Sequence, residues 1–128
     1  IIQSNYLLRM VRLYQDGNVE KSEVPIDEGD EVIVQGNTYI ASVMGITING
    51  ATPVFVEPNK YFAIDPDKIE EKISSKTRAI LVTHLYGMAS QMDKILNLCN
   101  KYNLKLVEDC AQSHGAKFKN NFTITIFF

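Results

Sequence analysis

The sequence predicts an α/β domain: part of a three-layer sandwich in which crossover helices connect the strands of a largely parallel sheet. Short apolar runs rich in β-branched residues alternate along the chain with segments of helical periodicity, which is the pattern of βαβ units. The four runs are residues 31–34, 53–57, 79–83 and 105–108.

The helix after the second run is marked most clearly. Asp65 is placed as its N-cap and Pro66 as its first helical residue, while Ile64 and Ile69 have the spacing of a hydrophobic staple. The preceding helix, over about residues 38–49, is less regular because it contains β-branched residues and a glycine. We expect it to end at Gly50.

The last helix is predicted to open at Ser90, with Asp93 three residues later as a short-armed capping box. One face of it carries apolar residues at helical spacing, which predicts packing against the sheet. These residues are Met92, Ile95, Leu96 and Cys99.

The two ends of the chain are predicted separately. An apolar stripe that includes Tyr6, Met10 and Tyr14 predicts a helix that closes at residues 16–18, followed by a polar connector to residue 27. The tail at residues 120–128, rich in aromatic and β-branched residues, predicts a strand, or the foreign end of a truncated or frame-shifted chain. The predicted division is therefore 1–28, 29–119 and 120–128.

Composition excludes several classes of function. The chain has 128 residues, 45% of them apolar, and a net charge of −2. Its basic residues form no stripe that would bind a nucleic acid, and no apolar run has the length of a membrane span or the layout of a signal peptide. Two cysteines suit a reducing compartment, so we expect a cytoplasmic protein.

A candidate site follows the last predicted strand, where Asp109, Gln112 and His114 come in quick succession. Open α/β sheets bind ligands at the carboxyl ends of their strands. A carboxylate there could hold a cationic ligand such as the protonated pyridine nitrogen of pyridoxal phosphate. Taken alone, Asp109 could equally cap the turn after the strand.

Four blocks in order resemble the DegT/DnrJ-type sugar aminotransferases, over roughly residues 29 to 119. They are residues 29–34 with the Asn-Thr-Tyr-Ile-Ala-Ser of 37–42, residues 50–57, His-Leu-Tyr-Gly at 84–87, and Val-Glu-Asp-Cys-Ala-Gln-Ser-His-Gly at 107–115. Four blocks in the right order are far more specific than any one alone.

The resemblance implies the front part of the large domain of the aspartate-aminotransferase fold, with pyridoxal 5'-phosphate as cofactor. It also implies transfer of an amino group, usually from glutamate, to a keto sugar linked to a nucleotide, in a homodimer. The block at residues 37–42 is similar to that of enzymes that aminate the 3-keto group of 6-deoxyhexoses.

Three residues take cofactor-binding roles by this resemblance. Tyr39 would stack on the pyridine ring, Asp109 would pair with the ring nitrogen, and Gln112 would meet the phenolic oxygen. The other interpretation of Tyr39 is a partly buried aromatic residue at a helix start, with its hydroxyl in water.

The histidines are predicted to be hydrogen-bonded structural residues, with a role in a pocket wall as the second interpretation. Zinc binding by His84, Glu108, Asp109, Cys110 and His114 is disfavoured, and we predict no metal. Adjacent carboxylates point to opposite sides of a strand, and no paired Cys or His spacing is present.

Two expected blocks of the family are missing from the sequence. Ser4 and Asn5 do not reproduce the glycine-rich phosphate turn, and Lys117 and Lys119 precede the block that carries the Schiff-base lysine. We therefore expect no catalytic residue in this chain.

Two other classes of protein stay open. One is a non-catalytic remnant of an aminotransferase. The other is a phosphoacceptor domain that uses Asp109, disfavoured because only Glu108 adjoins it and that chemistry needs a cluster of acids around a metal. A dinucleotide-binding domain is weaker still, since the seven glycines never form G-x-G-x-x-G.

We predict that the 128-residue chain alone is catalytically inactive, because it lacks the amine that would bond to the cofactor. Incubation with pyridoxal phosphate, reduction with borohydride and peptide mapping test this. A stoichiometrically labelled lysine would contradict it.

Overall fold

A computed structural model describes residues 12–15, 18–21, 26–119 and 121–122. Its strands are β1 (Arg12–Gln15), β2 (Asn18–Lys21), β3 (Glu31–Gln35), β4 (Thr52–Val56), β5 (Thr77–Thr83), β6 (Lys105–Asp109), β7 (Lys117–Phe118) and β8 (Asn121–Phe122). Its α-helices are α1 (Ile40–Thr47), α2 (Pro66–Ile69) and α3 (Met92–Tyr102), with single 3-10 turns at Glu70–Lys72 and Leu85–Gly87.

The main sheet contains four parallel strands in the order β4-β3-β5-β6, as the alternation of strands and helices predicts. In this register Val34 lies opposite Leu81, and Thr83 lies opposite Asp109. Because the strands are parallel, the carboxyl ends of β3, β5 and β6 meet at one edge of the sheet.

The two faces of the sheet pack against different helices, and this gives the three layers. Side chains alternate between the faces along each strand. The cluster on the α1 face comprises Val32, Val34, Ile46, Ala51, Ala79, Leu81 and Val107. The larger cluster on the face of α2 and α3 includes Ile33, Ile69, Ile80, Val82, Ile95, Cys99 and Leu106.

The predicted start of the second helix is confirmed, whereas the first helix ends at Thr47, before the predicted Gly50. The Asp65 carboxylate accepts the backbone N–H of Asp67 at 3.1 Å, and Pro66 is the first residue of α2. After α1 the chain reverses at Gly50, whose φ of +78° favours glycine and whose N–H donates to the Thr47 carbonyl.

The predicted capping box of α3 is wrong. The helix begins at Met92, and Gln91 before it makes no capping hydrogen bond. The Asp93 carboxylate accepts instead from the backbone N–H of Lys94. Ser90 is drawn toward β5, where its backbone N–H donates to a buried histidine, so the turn around Ser90 is set by a tertiary contact.

The predicted N-terminal helix is wrong over residues 12–15 and at residue 18, and the predicted connector is wrong over residues 19–21. Strands β1 and β2 form an antiparallel hairpin in which Gln15 pairs with Asn18. The Asp-Gly pair at positions 16 and 17 is a sequence typical of hairpin connections. This signal outweighs the spacing of the apolar residues, which is compatible with a strand as well as with a helix. Residues 1–11 lie outside the described residues.

The C-terminal strand prediction is confirmed for Asn121–Phe122, which pairs with β7 in an antiparallel arrangement. Residues 123–128 lie outside the described part of the chain. Among the described residues, no helix has both the length and the apolar character needed to cross a bilayer.

We predict that Cys99 does not react with thiol reagents in the folded protein. Burial raises the pKa of its thiol to about 12, so the reactive thiolate is almost absent at pH 8. Labelling followed by mass spectrometry should modify Cys99 only after urea is added. Equal labelling rates with and without urea would contradict the packing of α3 against the sheet.

Candidate functional site

The carboxyl edge of the main sheet brings a carboxylate and three hydroxyl groups together. Asp109 is the last residue of β6 and only 9% exposed. Thr83, the last residue of β5, lies opposite it in the register. Thr38 and Ser42 reach the same place from the connection after β3 and from α1.

Both oxygens of Asp109 accept a hydrogen bond. The Ser42 hydroxyl donates to Oδ2 at 2.8 Å, and the backbone N–H of Ala111 donates to Oδ1 at 3.1 Å. In the described part of the chain no lysine, arginine or histidine forms an ion pair with this carboxylate. A buried carboxylate with neutral donors only is suited to a cationic ligand, and the protonated nitrogen of a pyridine ring fits this donor set.

Tyr39 is the N-cap residue of α1, immediately before the helix starts. Its carbonyl accepts the backbone N–H of Ser42, the residue whose side chain contacts Asp109. Tyr39 is 71% exposed, whereas the second interpretation of this residue expects a partly buried aromatic ring. The structure therefore brings Tyr39 and Asp109 to the same edge and the same face of the sheet.

Gln112 lies in the turn after β6 and is exposed. Its side-chain oxygen accepts the backbone N–H of Tyr86 at 3.3 Å, and its carbonyl accepts that of Gly87 at 3.0 Å. Since the side-chain oxygen is held in this way, the amide NH₂ group points away from Tyr86. It has no partner among the described residues and can donate to a ligand oxygen.

His84 is a fully buried, hydrogen-bonded residue, as predicted. Its Nδ1 accepts the backbone N–H of Ser90 at 3.1 Å, so the ring proton is on Nε2. That nitrogen donates to the Glu108 carboxylate at 2.8 Å. Its backbone N–H donates to the Asp109 carbonyl and extends the pairing of β5 with β6. The imidazole thus fixes the end of β6.

Potential metal ligands occur together on this side of the sheet. Single ligand atoms of His84, Glu108 and Cys110 lie within 4.8 Å of one another, and all three residues are buried. Both nitrogens of His84 are already used in hydrogen bonds, so a metal at Nε2 would have to displace the proton shared with Glu108. The prediction of no metal stays a prediction. His114 is exposed in the turn after β6.

Sequence reasoning missed the three hydroxyl residues around Asp109. A signal for two of them exists, because Thr38 and Ser42 are four residues apart and so lie on the same side of a helix start. Thr83 could have been found only from the strand register, because nothing in the sequence aligns it with Asp109.

Comparison with known proteins identifies the family. The DegT/DnrJ/EryC1/StrS aminotransferase family matches residues 21–125, a wider range than the blocks at 29 to 119 suggest. The chain belongs to this family. It is similar to a transaminase of Aneurinibacillus thermoaerophilus that is named for dTDP-3-amino-3,6-dideoxy-alpha-D-galactopyranose. The two are 62% identical over 89 residues, which are 69% of this chain and 24% of the relative.

Solved structures of the family have the same arrangement of strands and helices. DesV of Streptomyces venezuelae superposes with a TM-score of 0.76 at 44% identity, over 78% of this chain and 27% of DesV. NtdA of Bacillus subtilis, solved with bound cofactor PMP, superposes with a TM-score of 0.69 at 42% identity, over 70% of this chain and 21% of NtdA. The fold is therefore that of the type I aminotransferases, and the chain spans about a quarter of the relatives' length.

We predict that Glu108→Leu destabilises the fold and that Glu108→Gln does so much less. Leucine leaves the Nε2–H of buried His84 without an acceptor, at a cost of about 1–3 kcal/mol, whereas glutamine retains an oxygen at that place. Urea unfolding measures both free energies, with exposed Glu57→Gln as the control. Equal effects of the two Glu108 variants would contradict this role for the contact.

Proposed function

We propose that this chain supplies the ring-binding part of a pyridoxal-phosphate-dependent aminotransferase that acts on a keto sugar linked to a nucleotide. The observation that supports this most strongly is the buried Asp109 carboxylate, which has neutral hydrogen-bond donors and no ion-pair partner among the described residues. It lies at the sheet edge where ligands of parallel α/β folds bind.

When bound, pyridoxal phosphate supplies an electron sink for negative charge that develops at the substrate carbon. Asp109 holds the proton on the ring nitrogen through a charge-assisted hydrogen bond. Its two existing hydrogen bonds fix the plane of the carboxylate, so its remaining lone pairs have a defined direction.

Tyr39 and Gln112 orient the ring in this proposal. The exposed Tyr39 side chain covers one face of the pyridine ring, and its place before α1 is set by the hydrogen bond from Ser42 to its carbonyl. The Gln112 amide NH₂ donates to the phenolic oxygen of the ring, because its own oxygen is held by Tyr86.

The substrates and the assembly are proposed from the relatives. The Aneurinibacillus relative is named for a 3-amino-3,6-dideoxyhexose carried on dTDP, which supports amination at the third sugar carbon. We further propose an amino-acid donor such as glutamate, a homodimer, and a cytoplasmic location. These features concern the whole protein. This chain spans about a quarter of the length of the Aneurinibacillus relative.

The geometry argues against a phosphoacceptor domain. That chemistry needs several acids around one metal ion. Glu108 contacts His84 on the face of α3, whereas Asp109 contacts Ser42 on the face of α1, so the two adjacent carboxylates do not converge.

An activity test uses a hybrid enzyme in which the 89 matched residues replace the corresponding segment of the Aneurinibacillus transaminase. We expect the hybrid to bind pyridoxal phosphate and to aminate the nucleotide-linked sugar. Asp109→Asn should lower kcat/KM about a hundredfold or more, because a neutral amide cannot stabilise the ring-nitrogen charge. Gln112→Ala should lower kcat/KM about tenfold, through loss of one hydrogen bond.

Exposed Glu57→Gln is the matched control and should leave the activity unchanged. Full activity in the Asp109→Asn hybrid would contradict the proposed role of Asp109. An unsubstituted hybrid that folds but binds no cofactor would favour the non-catalytic remnant.

A further inference from the structure

Three hydroxyl groups form a continuous chain that ends on Asp109. The Thr83 and Thr38 Oγ1 atoms are 2.9 Å apart, and Thr38 Oγ1 lies 3.1 Å from Ser42 Oγ. Ser42 Oγ in turn lies 2.8 Å from Asp109 Oδ2. The four residues come from β5, the connection after β3, α1 and β6, so this chain of contacts exists only when the sheet and α1 are assembled.

The direction of every proton in this chain is fixed by the number of donors. An ionised carboxylate only accepts, so Ser42 must donate its single proton to Asp109. Ser42 can then only accept from Thr38, and Thr38 can only accept from Thr83. The Thr83–Thr38 contact, in which either oxygen could donate by geometry alone, therefore has a single allowed direction.

We propose that Thr83, Thr38 and Ser42 are positioning residues that act as a one-way hydroxyl relay, which holds the Asp109 carboxylate in place as the acceptor for the ring nitrogen of the cofactor. This inference rests on the proposed function, since the relay has a role in the reaction only if a ring nitrogen binds beside Asp109. The residues themselves do not touch the cofactor in this proposal.

The relay works through the alignment of its dipoles. Hydrogen bonds that point the same way polarise one another, and a charged acceptor at the end strengthens each of them. They hold the Asp109 carboxylate in one orientation, with Oδ2 occupied by the Ser42 hydroxyl. A ring nitrogen beside Asp109 would then keep its proton, because it would face a carboxylate acceptor in a fixed place.

Burial makes the effect larger than it would be at the surface. Thr83, Ser42 and Asp109 are buried and Thr38 is half-buried, so water has least access to the contact between Ser42 and Asp109. The other Asp109 oxygen accepts from the backbone of Ala111, a donor that no side-chain substitution removes. The relay is therefore the part of the carboxylate's environment that side chains can change.

The test in the cofactor-loaded hybrid enzyme uses pyridoxal phosphate labelled with ¹⁵N in its ring. We expect the ring nitrogen of the unsubstituted hybrid to give the NMR shift of a protonated pyridine. Ser42→Ala should move this signal toward the unprotonated position and lower kcat/KM about tenfold to a hundredfold. Thr83→Val, which keeps the side-chain shape, should move it in the same direction by a smaller amount.

Thr83→Ser restores the hydroxyl and should restore the signal. Thr52→Val, an exposed threonine in β4, is the matched control. If Thr83→Val and Ser42→Ala both leave the ring-nitrogen shift unchanged, the relay is overturned even where activity falls.

A second measurement needs no cofactor. Thr83 and Ser42 are joined only through Thr38 in the described contacts, so their effects on unfolding should be coupled through it. In the cofactor-free hybrid, Thr83→Val should reduce the folding equilibrium constant. The factor of this reduction should be at least about twofold larger when Ser42 is present than in a Ser42→Ala background. This difference should vanish in a Thr38→Val background, and additive effects throughout would overturn the relay.

The two measurements separate the relay from the proposed function. Absence of any bound cofactor in the unsubstituted hybrid would overturn the proposed function. The coupling in the cofactor-free protein would still decide whether the relay exists.

Discussion

The hydrogen bond from Ser42 to Asp109 connects the parts of this structure that the site depends on. It joins α1 to β6 across β3 and β5, and it places a buried carboxylate beside the N-terminus of α1. Without it, the backbone N–H of Ala111 would be the one remaining donor to Asp109 among the described residues. Because burying a carboxylate is costly, this contact stabilises both the position of Asp109 and the packing of α1 on the sheet.

The two-sided sheet separates adjacent acids into different roles. Glu108 faces α3 and accepts the Nε2–H of His84, so it stabilises the end of β6 on that face of the sheet. Asp109 faces α1 and has no such partner among the described residues. A one-residue shift in the register of β6 would exchange these environments, which is why the strand pairing with β5 matters to function.

The main sheet could be predicted because β3, β5 and β6 are buried on both faces and all four strands read as short apolar runs. The N-cap at Asp65 could be predicted because proline and aspartate fix that helix start locally. The start of α3 could not, because the position of Ser90 is set by its contact with His84 on another element. The hairpin of β1 and β2 was missed because an apolar stripe of spacing three and four outweighed the Asp-Gly signal.

At the candidate site, the sequence blocks indicated Tyr39, Asp109 and Gln112, and the structure places them around one edge of the sheet. Sequence reasoning missed the hydroxyl groups of Thr38, Ser42 and Thr83, since their relation to Asp109 arises from tertiary packing and only the spacing of Thr38 and Ser42 carries a signal. The residues proposed to touch the cofactor belong to sequence motifs, whereas those proposed to position Asp109 are found from the register and the hydrogen bonds.

The most direct measurement of the central claim is a crystal structure of the hybrid enzyme with its cofactor bound. The account predicts an Asp109 carboxylate oxygen about 2.7–2.9 Å from the ring nitrogen, with the Tyr39 ring over one face of the pyridine. A ring nitrogen bound to another group, or a cofactor on the α3 face of the sheet, would contradict it.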